Sequence, residues 1–230
     1  MRTQAVEDYL KTIYELQAES GKVSTSMLAE RLQVAPASVT GMVKKLDEMR
    51  LVRYKPYQGV TLTGNGEKIA LEVVRHHRLV ELYLAEALGV PWDQVHAEAE
   101  KWEHVLSEDL EDRIDAALGY PTADPHGAPI PSRQGKIATS PRTALTRLKA
   151  KQSLVIVEVS DHNPALLRYL GSLDLYPNTP IELLDVAPFD GPLTIRVGDV
   201  EHVLGKEAAS HILVTDRTEK NIETLLSKQS

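Results

Sequence analysis

Between Ser24 and Thr63 the chain reads as two short amphipathic helices, a tight link and a hairpin, an order that few folds accept. STSMLAERLQ offers Ser24 as an N-cap, with Met27, Leu28 and Leu32 facing inward. The VAPAS link leads to a second helix in which Pro36 suits the first turn and Val39, Met42, Val43 and Leu46 form the buried stripe. LVRYKPYQGVTLT then predicts two short strands around a turn containing Gln58 and Gly59. Helix, turn, helix and hairpin make a winged helix-turn-helix. An amphipathic helix over residues 4–19 precedes it, built on Val6, Leu10, Ile13 and Leu16.

Thr63 caps a long helix over roughly 64–88, and Pro91 opens another that carries VHAEAEKWEHVLSEDLEDRI. A small winged unit buries little core by itself, so these helices are expected to form a homodimer. Its two-fold symmetry would match that of operator DNA. Over residues 119–152 five prolines lie among glycines and small residues, which predicts a linker. From Leu154 onward LVIVEVS, PIELLDV, PLTIRVG, VEHVL and HILV predict strands, with a short helix at NPALLRYLGSL. A small SH3-like barrel is expected there. The fold class is therefore mainly α with a β-rich C-terminal domain. It divides into a winged helix-turn-helix (residues 1–75), a helical dimerisation and metal-binding domain (76–140) and an SH3-like, FeoA-like domain (153–215). Residues 216–230 read as a polar tail.

The net charge of −7 argues against nucleic acid as a partner of the whole chain. Locally the balance inverts. Within residues 31–55, Arg31, Lys44, Lys45, Arg50, Arg53 and Lys55 stand against Asp47 and Glu48. Phosphate binding needs such a basic patch, and the acid elsewhere suits a cation site; a mixed solvated surface is the other reading of the same charges. No apolar run approaches the ~18 residues of a membrane span. The N-terminal MRTQAVEDYLKTIYEL mixes charged and apolar residues unlike a signal peptide. Without cysteine there are neither disulfides nor thiolate ligands. A cytoplasmic protein without membrane contact is expected.

In a helix-turn-helix the second helix enters the major groove. Its leading residues here are Ala35, Pro36, Ala37, Ser38 and Thr40. Ser38 and Thr40 can hydrogen-bond bases or phosphates, and Pro36 and Ala37 can touch thymine methyls. Lys44 and Lys45, with Arg53, Lys55 and Tyr57 on the wing, are placed for the phosphate backbone. No Arg, Asn or Gln opens the helix, so modest direct readout supplemented by DNA shape is expected.

A second constellation concerns metal. Glu100, Glu103 and His104 are spaced i, i+3 and i+4, on one face of the predicted helix, with His96 one turn earlier. His77 and Glu81 repeat the i, i+4 spacing on the preceding helix, and Asp8 on the first helix can add an oxygen. Any one pair fits a solvated surface. Several on neighbouring helices of an acidic, cysteine-free chain point to a cation. Oxygen-rich ligation with one imidazole suits Mn²⁺ or Fe²⁺ better than structural zinc, which favours sulfur and nitrogen.

In order and spacing, VEDYLKTIYEL, AERLQVAPASVTGMVKKLDEMRLV, RHHRLVE, VHAEAEKWEHVLSEDLEDRI and PHGAPIP resemble the diphtheria toxin repressor family over residues 4–131. The resemblance is looser over the barrel, and the HxxxExxEH pattern of His96, Glu100, Glu103 and His104 makes it specific. It implies a metal-loaded dimer, not an enzyme, that binds double-stranded operator DNA and represses metal-uptake genes. It implies a primary site of Asp8, Glu100, Glu103 and His104. The family's iron-responsive branch has methionine and cysteine at the positions of Asp8 and Glu100, and its manganese-responsive branch has aspartate and glutamate, as here. Mn²⁺ is thus the implied ion and Fe²⁺ the alternative. The second site is implied as His77, Glu81 and His96 or, following relatives with a C-terminal barrel, as Glu81, Asp124, His126 and Asp161, which DPHG and VSDHN fit. Lys11 departs from the small manganese regulators, which carry an acid there, so their closely spaced ion pair does not carry over. The glutamate and glutamine that the iron branch donates from its barrel have no clear match, which favours Asp161.

Two readings from other classes are open at this point. A carboxylate–histidine cluster also suits a metallohydrolase, although no nucleophile motif or phosphate-binding glycine loop accompanies it. Alternatively a winged-helix regulator senses an organic ligand through the barrel. Metal-dependent DNA binding separates the three.

Overall fold

The structure, a computed structural model, describes residues 3–216; all but the first residue of the expected polar tail lies outside the described residues. Contacts divide the chain into two units. The first comprises residues up to His77, with Glu103–Leu106 and Pro131–Lys136. The second comprises Arg78–Trp102, Ser107–Ile130 and the chain from Ile137 onward.

The first unit contains α1 (Gln4–Ser20), α2 (Thr25–Arg31), α3 (Pro36–Glu48), β1 (Val52–Lys55), β2 (Gly59–Leu62) and the first half of α4 (Gly64–Leu88). Ser24 caps α2 by accepting from the Met27 amide at 3.1 Å, a contact worth about 1 kcal/mol. Leu28, Val39, Val43 and Leu46 join Val6, Leu10 and Ile13 of α1 in one core. Full burial of a side chain such as Leu28 contributes roughly 1.5–3 kcal/mol. The hairpin pairs Val52 with Leu62 and Lys55 with Gly59, so Gly59 opens β2 and the turn lies just before it. A Cβ at Gly59, whose φ is +105°, would meet the Val23 carbonyl oxygen at 2.6 Å, where Val23 bridges Val60. Thr63 caps α4 as expected, its hydroxyl oxygen accepting from the Gly66 amide at 3.2 Å.

The second unit carries the rest of α4, α5 (Val95–Trp102), α6 (Glu108–Ala117), β3 (Thr143–Ala144), β4 (Gln152–Val159), α7 (Pro164–Gly171), β5 (Pro180–Val186), β6 (Leu193–Val197), β7 (Val200–Leu204), α8 (Lys206–Ser210) and β8 (Ile212–Asp216). Its strands form one antiparallel sheet in the order β3-β8-β4-β5-β6-β7. Irregularities at Ile156/Glu158 and Leu183/Asp185 mark where β-bulges bend it. Leu154, Ile156, Leu183, Ile195 and Val214 bury against Leu167 and Leu170 of α7.

Two expectations need correction. The helix expected from Pro91 through Ile114 is two helices, with α5 ending at Trp102 and α6 starting behind Ser107. Ser107 accepts from the Leu110 amide at 3.3 Å, and Glu108, Asp109 and Glu111 favour a fresh N-terminus there. The expected linker over 119–152 is partly a buried turn. Asp124 Oδ1 accepts from the amides of His126 (2.8 Å) and Ala128 (3.0 Å), Ala123 bridges Pro129, and Leu145 belongs to the β-domain core. Among the described residues, no helix is long and apolar enough to cross a membrane.

Candidate metal centres

The end of α5 decides the geometry of the first site. Because the helix stops at Trp102, Glu103 and His104 lie in a turn instead of sharing a helix face with Glu100, and that turn belongs to the first unit. Asp8 on α1, Glu103 and His104 each bring one donor atom within 4.8 Å of the others. His104 Nε2 lies 2.7 Å from Asp8 Oδ1 and 3.3 Å from Glu103 Oε1. Neither His104 Nε2 nor Glu103 Oε1 makes a hydrogen bond, although both are buried. The opposite ring nitrogen, Nδ1, is held 2.8 Å from Glu7 Oε2. A proton on Nδ1 leaves the Nε2 lone pair facing two carboxylates, an arrangement that calls for a cation between them.

Lys11 completes this site in a way the sequence did not show. Its ammonium is buried and donates to Glu103 Oε2 at 2.8 Å, and it lies 3.1 Å from His77 Nδ1. His77 is also hydrogen-bonded to the same Glu103 oxygen. Burial alone would push the Glu103 carboxyl up, but the His77 contact and the Lys11 charge outweigh it and hold the group below its ordinary range. Glu103 thus presents one oxygen to Lys11 and His77 and the other to Asp8 and His104. Glu7 and Lys11 were missed as site residues; the only signal was their position one residue before and three after Asp8. Glu100, on α5 in the second unit, is half exposed, with Oε1 3.8 Å from His96 Nε2.

The second site lies in the second unit. Glu81 of α4 and Asp124 and His126 of the DPHG turn, all buried, place donors within 4.8 Å of one another. His96 Nδ1 stands 3.1 Å from Glu81 Oε1 and 3.4 Å from Asp161 Oδ2, so Asp161 joins from the loop after β4. Asp124 Oδ2 and His126 Nδ1 are buried without a hydrogen bond. Burial and the adjacent Glu81 push the Asp124 carboxyl well above its usual range. Burial disfavours charge on His96, yet Asp161 and Glu81 raise it to about 10. Arg78 Nε, 3.6 Å from Asp124 Oδ2, and His96 supply part of the positive charge that carboxylates this crowded need to stay ionised together. The donor sets of both sites, oxygen with imidazole and no sulfur, fit a divalent ion of the manganese or iron type.

On α3, Ala35, Pro36, Ala37 and Ser38 are exposed, and Thr40 turns its hydroxyl back to the Pro36 carbonyl at 3.0 Å. Lys44, Lys45, Arg53, Lys55 and Tyr57 are exposed around it, Tyr57 at the tip of the hairpin with φ +64°.

Known proteins match along this whole architecture. Residues 1–60 match the N-terminal DNA-binding domain of iron-dependent repressors, 63–132 their metal-binding and dimerisation domain, and 143–216 a FeoA domain. The iron-dependent repressor IdeR of Mycobacterium leprae is 32% identical over 220 residues, which cover 90% of this chain and 95% of that protein. IdeR of Mycobacterium tuberculosis is 42% identical over 125 residues, about half of each chain at 54%. A manganese-dependent transcriptional repressor solved with manganese is 38% identical, covers 92% of this chain and 99% of its own, and superposes with a TM-score of 0.88. The manganese regulator SloR is 33% identical, covers 92% and 98%, and superposes at 0.78. These relatives are regulators, which removes the hydrolase reading, and the match of residues 63–132 to a metal-binding domain removes that of a regulator answering to an organic ligand in place of metal. With its winged unit, its paired carboxylate–imidazole sites and its FeoA domain, this chain belongs to the iron-dependent, or diphtheria toxin, repressor family of metal-dependent transcriptional repressors.

Proposed function

We propose that the protein is a manganese-activated repressor, with Fe²⁺ as the alternative ion, that acts as a homodimer on operator DNA in the cytoplasm and controls metal-uptake genes. The observation that carries this reading is the convergence of Asp8, Glu103 and His104 around two buried donor atoms that make no hydrogen bond. Glu100, one turn earlier in sequence, is the proposed fourth donor. A divalent ion bound there would add its charge beside Asp8 and the Glu103 oxygen that Lys11 and His77 leave open. Glu7 keeps the His104 proton on Nδ1, Lys11 keeps Glu103 Oε2 engaged, and Asp8 ties α1 of the winged unit to the turn that bears His104. Oxygen donors at the positions of Asp8 and Glu100 favour Mn²⁺ over ions that seek sulfur, and the manganese-dependent relatives support that choice.

Ala35, Pro36, Ala37, Ser38 and Thr40 are the proposed base-facing residues, and Lys44, Lys45, Arg53, Lys55 and Tyr57 the phosphate-facing ones. Mobility-shift titration of an inverted-repeat duplex, selected from random sequence with Mn²⁺ present, tests the whole reading. Affinity should appear with Mn²⁺ or Fe²⁺ and fall by roughly 10³-fold or more between about 50 and 200 mM salt through counterion release. Equal binding in chelator and in manganese would reject metal activation.

The second ion is proposed to sit on Glu81, Asp124, His126 and Asp161, with His96 beside it. Calorimetric titration of Glu81→Ala should show one ion fewer per chain with the first site kept. Unchanged stoichiometry would assign this cluster to fold stability alone.

A further inference from the structure

We propose that Trp92 is a positioning residue for the second ion, braced in that role by the C-terminal β domain. The inference rests on the second-site reading above. His126 is held by two groups from the same residue. Its Nε2 donates to the Trp92 carbonyl at 2.8 Å, which puts the proton on Nε2 and leaves Nδ1 as a bare lone pair. That nitrogen is buried, makes no hydrogen bond and lies 3.9 Å from Glu81 Oε2. The Trp92 indole covers the ring face, stacked at 5.7 Å with a 26° interplanar angle. A histidine ligand is normally oriented through its other nitrogen, and here an aromatic wall fixes the ring plane as well.

The wall itself is backed from the β domain. Tyr176 packs on the indole at 4.7 Å between ring centroids. Gly171, which ends α7, supplies the space: a Cβ there would lie 3.3 Å from the indole nitrogen and 2.9 Å from the Tyr176 hydroxyl. The next residue, Asp93, accepts from Arg168 of α7 at 3.0 Å. Trp92 is thus clamped between α7 and the imidazole it orients.

The test uses the full chain. Trp92 and Trp102 are its two tryptophans, so Trp102→Phe leaves Trp92 as the sole tryptophan emitter. Titration with Mn²⁺ alone should quench or shift its emission in step with the second ion measured by calorimetry, and Glu81→Ala should abolish that change. In the otherwise native chain, Trp92→Phe keeps a ring on His126 and should retain second-ion affinity. Trp92→Leu should weaken it by about 10–100-fold, with the first ion unaffected. Two ions per chain with a silent Trp92, or a leucine variant that binds as tightly as the phenylalanine one, overturns the inference alone. A parent that binds one ion overturns the second-site reading and this inference with it.

Discussion

Replacing Lys11 by methionine should cost the metal-free protein about 3–5 kcal/mol, the usual penalty for removing one partner of a buried ion pair. Neither partner is screened, since the side chains of Lys11 and Glu103 are 7% and 0% exposed. Methionine keeps the length and packing of the lysine stem, so the loss isolates the ammonium. Glu103 would retain His77 but lose the charge that helps hold its carboxyl low. In the parent, a carboxyl held low contributes stability that is complete above the ordinary carboxylate range and fades as pH falls through its lowered value. The variant should lose part of that contribution at neutral pH. Urea unfolding in chelator measures the cost, and repeating it in saturating Mn²⁺ should return more stability to the variant than to the parent, because an ion on Glu103 replaces part of the missing charge. A loss below about 1 kcal/mol would show that the ammonium is not what keeps Glu103 ionised.

Gly127→Ala should be comparably damaging and should act on the second site. Gly127 follows His126 in the DPHG turn with φ +88°, and a Cβ there would lie 2.0 Å from the Val157 carbonyl oxygen of β4. No flexible side chain can yield, because the obstacle is backbone. The left-handed conformation costs about 1–3 kcal/mol for a non-glycine residue, and forcing the turn from β4 adds an overpacking cost of similar size, about 1–3 kcal/mol. The turn would move, taking His126 Nδ1 and Asp124 Oδ2 with it. Thermal unfolding in chelator should show the loss, and calorimetry should show the second ion weakened while the first binds as before. Native stability together with a normal second ion would mean that the turn has freedom which these contacts do not allow.

The elements read well from the sequence are those whose local signals agree with their packing. Ser24, Pro36 and Thr63 mark helix starts, and the stripes at Val39, Val43 and Leu46 and at Val6, Leu10 and Ile13 are buried as their spacing demands. Val95, Ala99, Trp102, Leu106 and Leu110 continue a helical rhythm across the break after Trp102, so periodicity predicts one long helix where there are two. Ser107 with its acidic followers was the available stop signal. Proline and glycine counts made 119–152 look like a linker, since composition cannot register that Asp124 and His126 are buried for their chemistry. β3 and α8 were too short, at 2 and 5 residues, to leave a pattern. For the site, residue types and spacing nominate Glu100, Glu103 and His104 on one helix face with Asp8 added, whereas α5 ends at Trp102 and Asp8, Glu103 and His104 are the three that cluster. The sequence noted Lys11 only as a missing acid; that its ammonium rests on Glu103 required the three-dimensional path of α1.

Glu103 and His104 sit in a turn between two short helices, with His76 Nδ1 3.1 Å from the Glu103 carbonyl. Two donors on a continuous helix would have a spacing set by the helix pitch and would select ions by radius. Turn-borne donors can close on a smaller ion or relax around a larger one without breaking an α-helical hydrogen bond. On the proposed ligand set, these two donors would discriminate less by ion size than by the chemistry of their atoms. A site of this kind follows the general affinity order of the divalent metals among oxygen- and nitrogen-seeking ions. On that reading, the free concentrations of ions around the protein would decide which one loads it as much as the preference of the site itself.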